Sequence, residues 1–258
     1  MNKPKVVAVV GTNASGKSAL GVRLAGTFDG EIISADSRQV FRGLDLGSGK
    51  ITPEEMQGVP HYMIDVREPG EFFSMADFQR MSYEKIDEIR ARGHLPMIVG
   101  GTGLYLDALL RGHGYAPGTT GGETRRLLER RWDNEGGEAL FAELRSIDPE
   151  SAAALHPNDK KRVIRALEVY EETGKTITQH NLETKAVPPR YRPVWIGLDY
   201  QDRAALYRRI DLRVENMLSN GLLDEIRALL TLGVSPKTTA MQAIGYKEFF
   251  GYLSGACS

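Results

Sequence analysis

Val6 to Val10 is an unbroken apolar run closed by Gly11, the pattern of a strand buried on both faces. Lys17 to Ala25 follows with helical spacing. Glu31 to Ala35 reads as a second strand ending in Asp36, Tyr62 to Ile64 as a third ending in Asp65, and Leu95 to Val99 as a fourth running into glycines. Between the last two, Met75, Phe78, Met81, Ile86 and Ile89 mark one face of an amphipathic helix from Ser74 to Arg92. Short β-branched runs alternating with helical patterns predict an α/β chain, a parallel sheet flanked by helices.

From about Tyr115 the pattern changes. Gly118-Thr-Thr-Gly-Gly122 is hinge-like, and the following stretch is helical and charged, with no strand pattern. Residues 116–190 therefore read as an inserted helical subdomain, closed by Pro188-Pro189, with residues 1–115 and 191–258 as the catalytic core. Val194 to Leu198 returns to a strand that rejoins the sheet, and Arg203 to Ser219 and Leu222 to Leu232 are two further helices.

Composition narrows the class. In 258 residues, 33 Lys and Arg face 34 Asp and Glu, which excludes a globally basic nucleic-acid coat protein. The one cysteine, Cys257, excludes an intrachain disulfide and points to a reducing compartment. No run has the length of a signal peptide or a membrane span, so a cytoplasmic protein acting as a monomer, without a membrane partner, is expected.

The strongest chemical signal is Gly11-Thr12-Asn13-Ala14-Ser15-Gly16-Lys17-Ser18, which fits the phosphate-loop pattern at every fixed position, between a buried strand and a helix. Such a loop turns backbone N–H groups toward phosphate oxygens, adds the positive end of a helix, and supplies Lys17 as a countercharge and the Ser18 hydroxyl as a Mg²⁺ ligand. The loop alone says that a diphosphate or triphosphate binds, not what happens to it. Asp36 and Asp65, each at a strand end, are both candidates for work beside it. His61 and His156 have no partner at metal-ligand spacing and read as structural.

Six further blocks are more specific. Ser34-Ala-Asp-Ser-Arg-Gln-Val-Phe-Arg-Gly-Leu-Asp-Leu-Gly47, Pro60-His61, Gly100-Gly-Thr-Gly-Leu-Tyr105, His156-Pro-Asn-Asp159 with Arg162 and Arg165-Ala-Leu-Glu168, Arg209-Ile-Asp-Leu-Arg213 and Ala243-Ile-Gly-Tyr-Lys-Glu248 occur in the order found in tRNA dimethylallyltransferases, which the chain resembles over nearly its whole length.

The resemblance implies a P-loop NTPase-like fold and transfer of a dimethylallyl group from its diphosphate to the exocyclic amine of the adenosine 3′ of the anticodon. The partners would be dimethylallyl diphosphate and a tRNA anticodon stem-loop, with Mg²⁺ as cofactor. Asp36 would be the general base, Lys17 and Arg213 would meet the diphosphate, and Thr102 would help place the nucleoside. Ser37, Arg38 and Gln39 would face the tRNA, as would Arg125, Arg162 and Arg165 on the insertion. Between His156 and Arg192 eight basic residues stand against five acidic ones, a local excess that supports RNA contact, although such runs are most often a solvated face.

Departures from the family pattern are small in the reaction centre. Gly-Thr-Asn replaces Gly-Pro-Thr in the phosphate loop, and Gly47-Ser-Gly-Lys50 stands where Gly-Thr-Ala-Lys is frequent, leaving Lys50 as a possible RNA or diphosphate contact. Family members usually continue past Glu248 into a further helix and a basic segment, so a chain ending at Ser258 is expected to be short on its RNA side. A phosphate-loop kinase using Asp36 or Asp65 on Mg²⁺, a prenyltransferase for free AMP and an idle RNA-binding remnant remain the alternatives.

Overall fold

A computed structural model describes residues 3–112, 122–185 and 187–256. The chain packs as two units, Met1–Leu110 with Arg190–Ser258, and Arg111–Pro189. The first contains strands β1 (Lys5–Gly11), β2 (Gly30–Ala35), β3 (His61–Tyr62), β4 (Leu95–Gly100) and β5 (Arg192–Leu198). All pair in parallel, in the order β3-β2-β4-β1-β5. Helices α1 (Lys17–Phe28), α2 (Pro53–Met56), α3 (Met75–Ala91) and α4 (Gly103–Leu110) lie between or after the first four strands. The second unit consists of α5 (Glu123–Glu135), α6 (Gly137–Ile147), α7 (Pro149–Ala153), α8 (Lys160–Thr173) and α9 (Ile177–Lys185). The first unit resumes with β5, α10 (Arg203–Ser219), α11 (Leu222–Thr231) and a short α12 (Phe250–Leu253). This is the expected α/β sheet flanked by helices. Of the expected hinge, all but Gly122 lies outside the described residues.

Period-two alternation divides the strand side chains between two apolar cores. Ala8, Ile33, Ala35 and Ile98 pack with Phe78, Ile86 and Ile89 of α3 and with Leu222, Ile226 and Tyr246, while Val9, Ile32, Met97 and Val99 pack with Val22 and Ala25 of α1. The central strands β1, β2 and β4 are thus apolar on both faces because helices cover both, while edge strand β5 leaves Val194 and Trp195 exposed. The second unit has its own core, with Leu128, Leu140, Phe141, Leu144, Val163 and Leu167 at its centre. Asp148 caps α7, and its carboxylate also accepts from the N–H and hydroxyl of Thr178.

The third strand is shorter than expected. It ends at Tyr62, and Met63 and Asp65 adopt positive φ. The N–H groups of Asp65, Val66 and Arg67 are taken by the carbonyls of Gln39 and Val40, so the loop after β2 draws this backbone out of the sheet. Helix α3 begins at Met75, because Ser74 and Asp77 form a reciprocal cap in which each side chain accepts from the other's N–H.

At the end of the sheet opposite the phosphate loop, Glu31 is nearly enclosed and takes hydrogen bonds from Tyr62 Oη (2.6 Å) and Arg92 Nε and Nη2 (3.2 and 2.7 Å). Burial pushes its pKa up, but the bonds from Arg92 and Tyr62 outweigh that and hold the carboxyl below the usual range. A depressed native pKa contributes stability above the unfolded-state value, and the contribution disappears as pH falls through the native one. Glu31→Gln is therefore expected to lower the unfolding free energy by about 1–3 kcal/mol at pH 7. The deficit should shrink in chemical-denaturation curves recorded in the acid range, and a deficit independent of pH would refute the assignment.

Candidate active site

The C-terminal ends of β1, β2 and β4 meet at one edge of the sheet. After β1 the phosphate loop turns through Ala14 (φ 59°) and Gly16 (φ 91°) into α1, whose first residue is Lys17. Lys17 Nζ lies 2.6 Å from the carbonyl of Thr12. Its pKa is lowered, chiefly by burial, with the charge of Asp36 opposing the shift and that of Arg213 reinforcing it. Lys17, Asp36 and Arg213 are thus close enough to feel one another. Ser18 follows Lys17 in the first turn of α1 with its side chain exposed.

Asp36 follows directly on β2 and is half-buried. Its Oδ1 accepts from the N–H groups of Arg38 (2.8 Å) and Gln39 (3.4 Å), a local turn that fixes the carboxylate and leaves Oδ2 without a partner among the described residues. Thr102, after β4, joins the two loops: its N–H donates to Ala35 O (3.1 Å), and its Oγ1 accepts from Ser37 N (3.1 Å). Tyr105 stacks on Phe78 in the core beneath, ring centroids 3.9 Å apart, and its burial pushes the phenol pKa up.

From α10, Arg213 Nη2 donates to Gly49 O (3.4 Å), and Arg209 Nε donates to Ala14 O in the phosphate loop (3.0 Å). Arg213 forms no ion pair with its helix neighbours Asp211 or Glu215. The geometry adds Arg209 to the residues expected here. Its i, i+4 spacing from Arg213, which puts both on one face of a helix, is the signal that marks it.

Several expected residues are occupied within the fold. The Gln39 side chain accepts from Ser34 Oγ (3.0 Å) and donates to Gly49 O (3.3 Å), and Arg38 donates to Thr239 O. Lys50, expected as a possible RNA or diphosphate contact, is engaged inside the fold. Its ammonium is enclosed and bonds to Phe41 O, Asp45 and Asp65. The same pairing occupies Oδ1 of Asp65. His61 Nδ1 meets Val59 O and His156 Nδ1 accepts from Asn158 N, both structural arrangements. No group of three or more His, Cys, Asp or Glu among the described residues is placed to hold a metal ion. None of the described helices is long and apolar enough to cross a membrane.

Within the second unit, the fully buried carboxylate of Glu168 receives Arg125 (3.3 Å) and Arg165 (2.8 Å). Arg125 also pairs with Glu129. Arg162 is different: its side chain is 72% exposed, with a long contact to Asp159 (3.5 Å), which caps the start of α8.

Comparison with known proteins places the chain among relatives of one kind. Residues 39–258 match a family model described as IPP transferase. The tRNA dimethylallyltransferase of Thermoanaerobacter sp. (strain X514) is 46% identical over 255 residues, 98% of this chain and 81% of that protein. The one from Symbiobacterium thermophilum is 50% identical over 254 residues, 98% of this chain and 78% of its own length. Among solved structures, the full-length tRNA isopentenylpyrophosphate transferase of Bacillus halodurans aligns with a TM-score of 0.69 at 44% identity, over 99% of this chain and 79% of that one. A eukaryotic dimethylallyltransferase acting on tRNA aligns with a TM-score of 0.83 at 30% identity, over 98% and 64%.

Proposed function

This chain belongs to the IPP transferase family, with the tRNA dimethylallyltransferases, and from that we propose that it transfers a dimethylallyl group from dimethylallyl diphosphate to the N6 amine of the adenosine 3′ of the anticodon in tRNA. The observation that carries the reading is the meeting, at one sheet edge, of a phosphate loop, a fixed carboxylate with one open oxygen, and an arginine facing the loop's lysine.

In the reaction the bond between the allylic carbon and the diphosphate oxygen breaks as a bond from N6 to that carbon forms. Negative charge grows on the leaving diphosphate, where the phosphate-loop N–H groups, Lys17 and Arg213 stabilise it. The amine must lose a proton, and Oδ2 of Asp36 accepts it while Oδ1 stays fixed by the two N–H groups of its own turn. Thr102 holds the Asp36 loop against β4 and so sets where the nucleoside meets that oxygen. Ser18, whose exposed hydroxyl stands at the helix start, would hold Mg²⁺, which needs few protein ligands. Bound there, the ion would neutralise diphosphate charge. On the second unit, Arg162 is the most available of the expected tRNA contacts, while Arg125 and Arg165 reach RNA only from their shared anchor on Glu168. The target base is stacked in the anticodon loop and must be drawn out to reach Asp36.

The test is incubation with Mg²⁺, dimethylallyl diphosphate and, in separate reactions, an anticodon stem-loop or AMP, with ATP plus a phosphoryl acceptor as a third arm. Prenylated stem-loop is expected. Prenylated AMP alone, or ATP consumption without prenyl transfer, would overturn the reading.

A further inference from the structure

The block Ala243 to Glu248 has no place in the reaction as described, yet the structure ties it to the reaction centre. Glu225, in the first turn of α11, accepts from three successive backbone N–H groups, those of Asp45 (3.1 Å), Leu46 (2.7 Å) and Gly47 (3.2 Å), and from the hydroxyl of Tyr246 (2.6 Å). These bonds are charge-assisted, and the carboxylate lies at the favourable end of the helix dipole. Tyr246 is fully buried with its ring against Gly47, where an added Cβ would come within 2.4 Å of it. Two residues further on, the carbonyl of Gly49 accepts from Arg213 Nη2 and from Gln39 Nε2, and Gln39 N donates to Asp36. Gly49 sits at φ +58°, and a Cβ there would lie 1.5 Å from Arg213 Nη2, so the loop backbone and the guanidinium are in direct contact.

We propose that Glu225, held by Tyr246, is a positioning residue for diphosphate binding, which clamps the 45–49 loop so that the Gly49 carbonyl orients Arg213. Glu225 touches no reacting atom. Its effect passes through one backbone segment, held on one side by a carboxylate and carrying on the other the acceptor of the arginine. The proposal rests on the prenyl-transfer reading for the role of Arg213, but its test does not require transfer.

The test is a double-mutant cycle on the full chain, reading affinity for inorganic pyrophosphate with Mg²⁺ by calorimetry. Glu225→Ala is expected to weaken pyrophosphate binding about tenfold in the wild-type background and to change it little in an Arg213→Ala background, the mark of two residues acting as one unit. Tyr246→Phe keeps the ring against Gly47 and removes only the hydroxyl. It should reproduce the pattern at a few-fold amplitude, and it carries the test if Glu225→Ala does not fold. Equal losses in both backgrounds, or none in the wild-type background, would overturn the proposal. A failure of the prenyl-transfer reading looks different: the coupling persists while the wild-type protein leaves an anticodon stem-loop unmodified.

Discussion

Asp36→Asn is expected to slow prenyl transfer by about 10²–10⁴-fold, the range for losing a general base, while pyrophosphate affinity stays nearly unchanged. The substitution is isosteric, and the Asn side-chain oxygen can still accept from Arg38 N and Gln39 N, so the turn that orients the side chain survives. What disappears is the second oxygen's capacity to take a proton from the adenosine amine. The neutral side chain also removes the charge that holds the Lys17 pKa up, so the comparison belongs at a pH below the alkaline limb of both proteins. Single-turnover rates with saturating dimethylallyl diphosphate and stem-loop separate the chemical step from binding. A rate equal to that of the wild type would remove Asp36 from the mechanism, and a large loss of pyrophosphate affinity would move it from proton acceptor to binding residue.

Features written in contiguous sequence were legible in advance. The phosphate loop is eight successive residues whose spacing carries its own geometry, and the strand before it is marked by its apolar run. Asp36 was legible as a strand-end carboxylate on a par with Asp65, and its role came from the resemblance; that its strand pairs with β4, which pairs with β1, appears only in the fold. Thr102 was legible as a site residue by resemblance, but its task of bonding Ser37 N across 65 positions of sequence was not.

What the sequence did not reveal has a common physical cause. Lys50 looked like a free cation in a glycine-rich loop, but its charge is balanced by Asp45 and Asp65 and its ammonium completes a carbonyl's hydrogen bonding. Local composition cannot reveal a balance made with a residue fifteen positions away. The third strand read too long for a similar reason. Met63 and Ile64 suit a strand by composition, and only the competition from the Gln39 and Val40 carbonyls decides where pairing stops. Arg125 and Arg165 keep the charge expected of RNA contacts, and only their link to a buried Glu168, visible when α5 and α8 are packed together, was missing from the sequence. Glu225 is the extreme case, an acidic residue on an amphipathic helix whose partners lie about 180 positions upstream.

Lys17→Ala should lower kcat/KM for dimethylallyl diphosphate by about 10²–10³-fold, as expected when one preorganised donor to developing negative charge is removed. The same side chain predicts a pH dependence whose sign follows from its surroundings. Burial and the nearby Arg213 disfavour the ammonium, so in the free enzyme its pKa lies below the ordinary value of 10.5 despite the opposing charge of Asp36. As pH rises through that lowered value Lys17 loses its charge, and kcat/KM, which reports the free enzyme, should fall at lower pH than an ordinary lysine would allow. Bound diphosphate favours the charged form, so the alkaline limb of kcat should lie higher than that of kcat/KM. Arg213→Ala removes a repulsive neighbour and should move the kcat/KM limb up in pH. Asp36→Asn removes an attractive one and should move it down, a displacement readable even at a strongly reduced rate. Opposite displacements in the two variants would identify Lys17 as the titrating group. A limb that neither variant moves would assign it to another residue and leave Lys17 with a binding role alone.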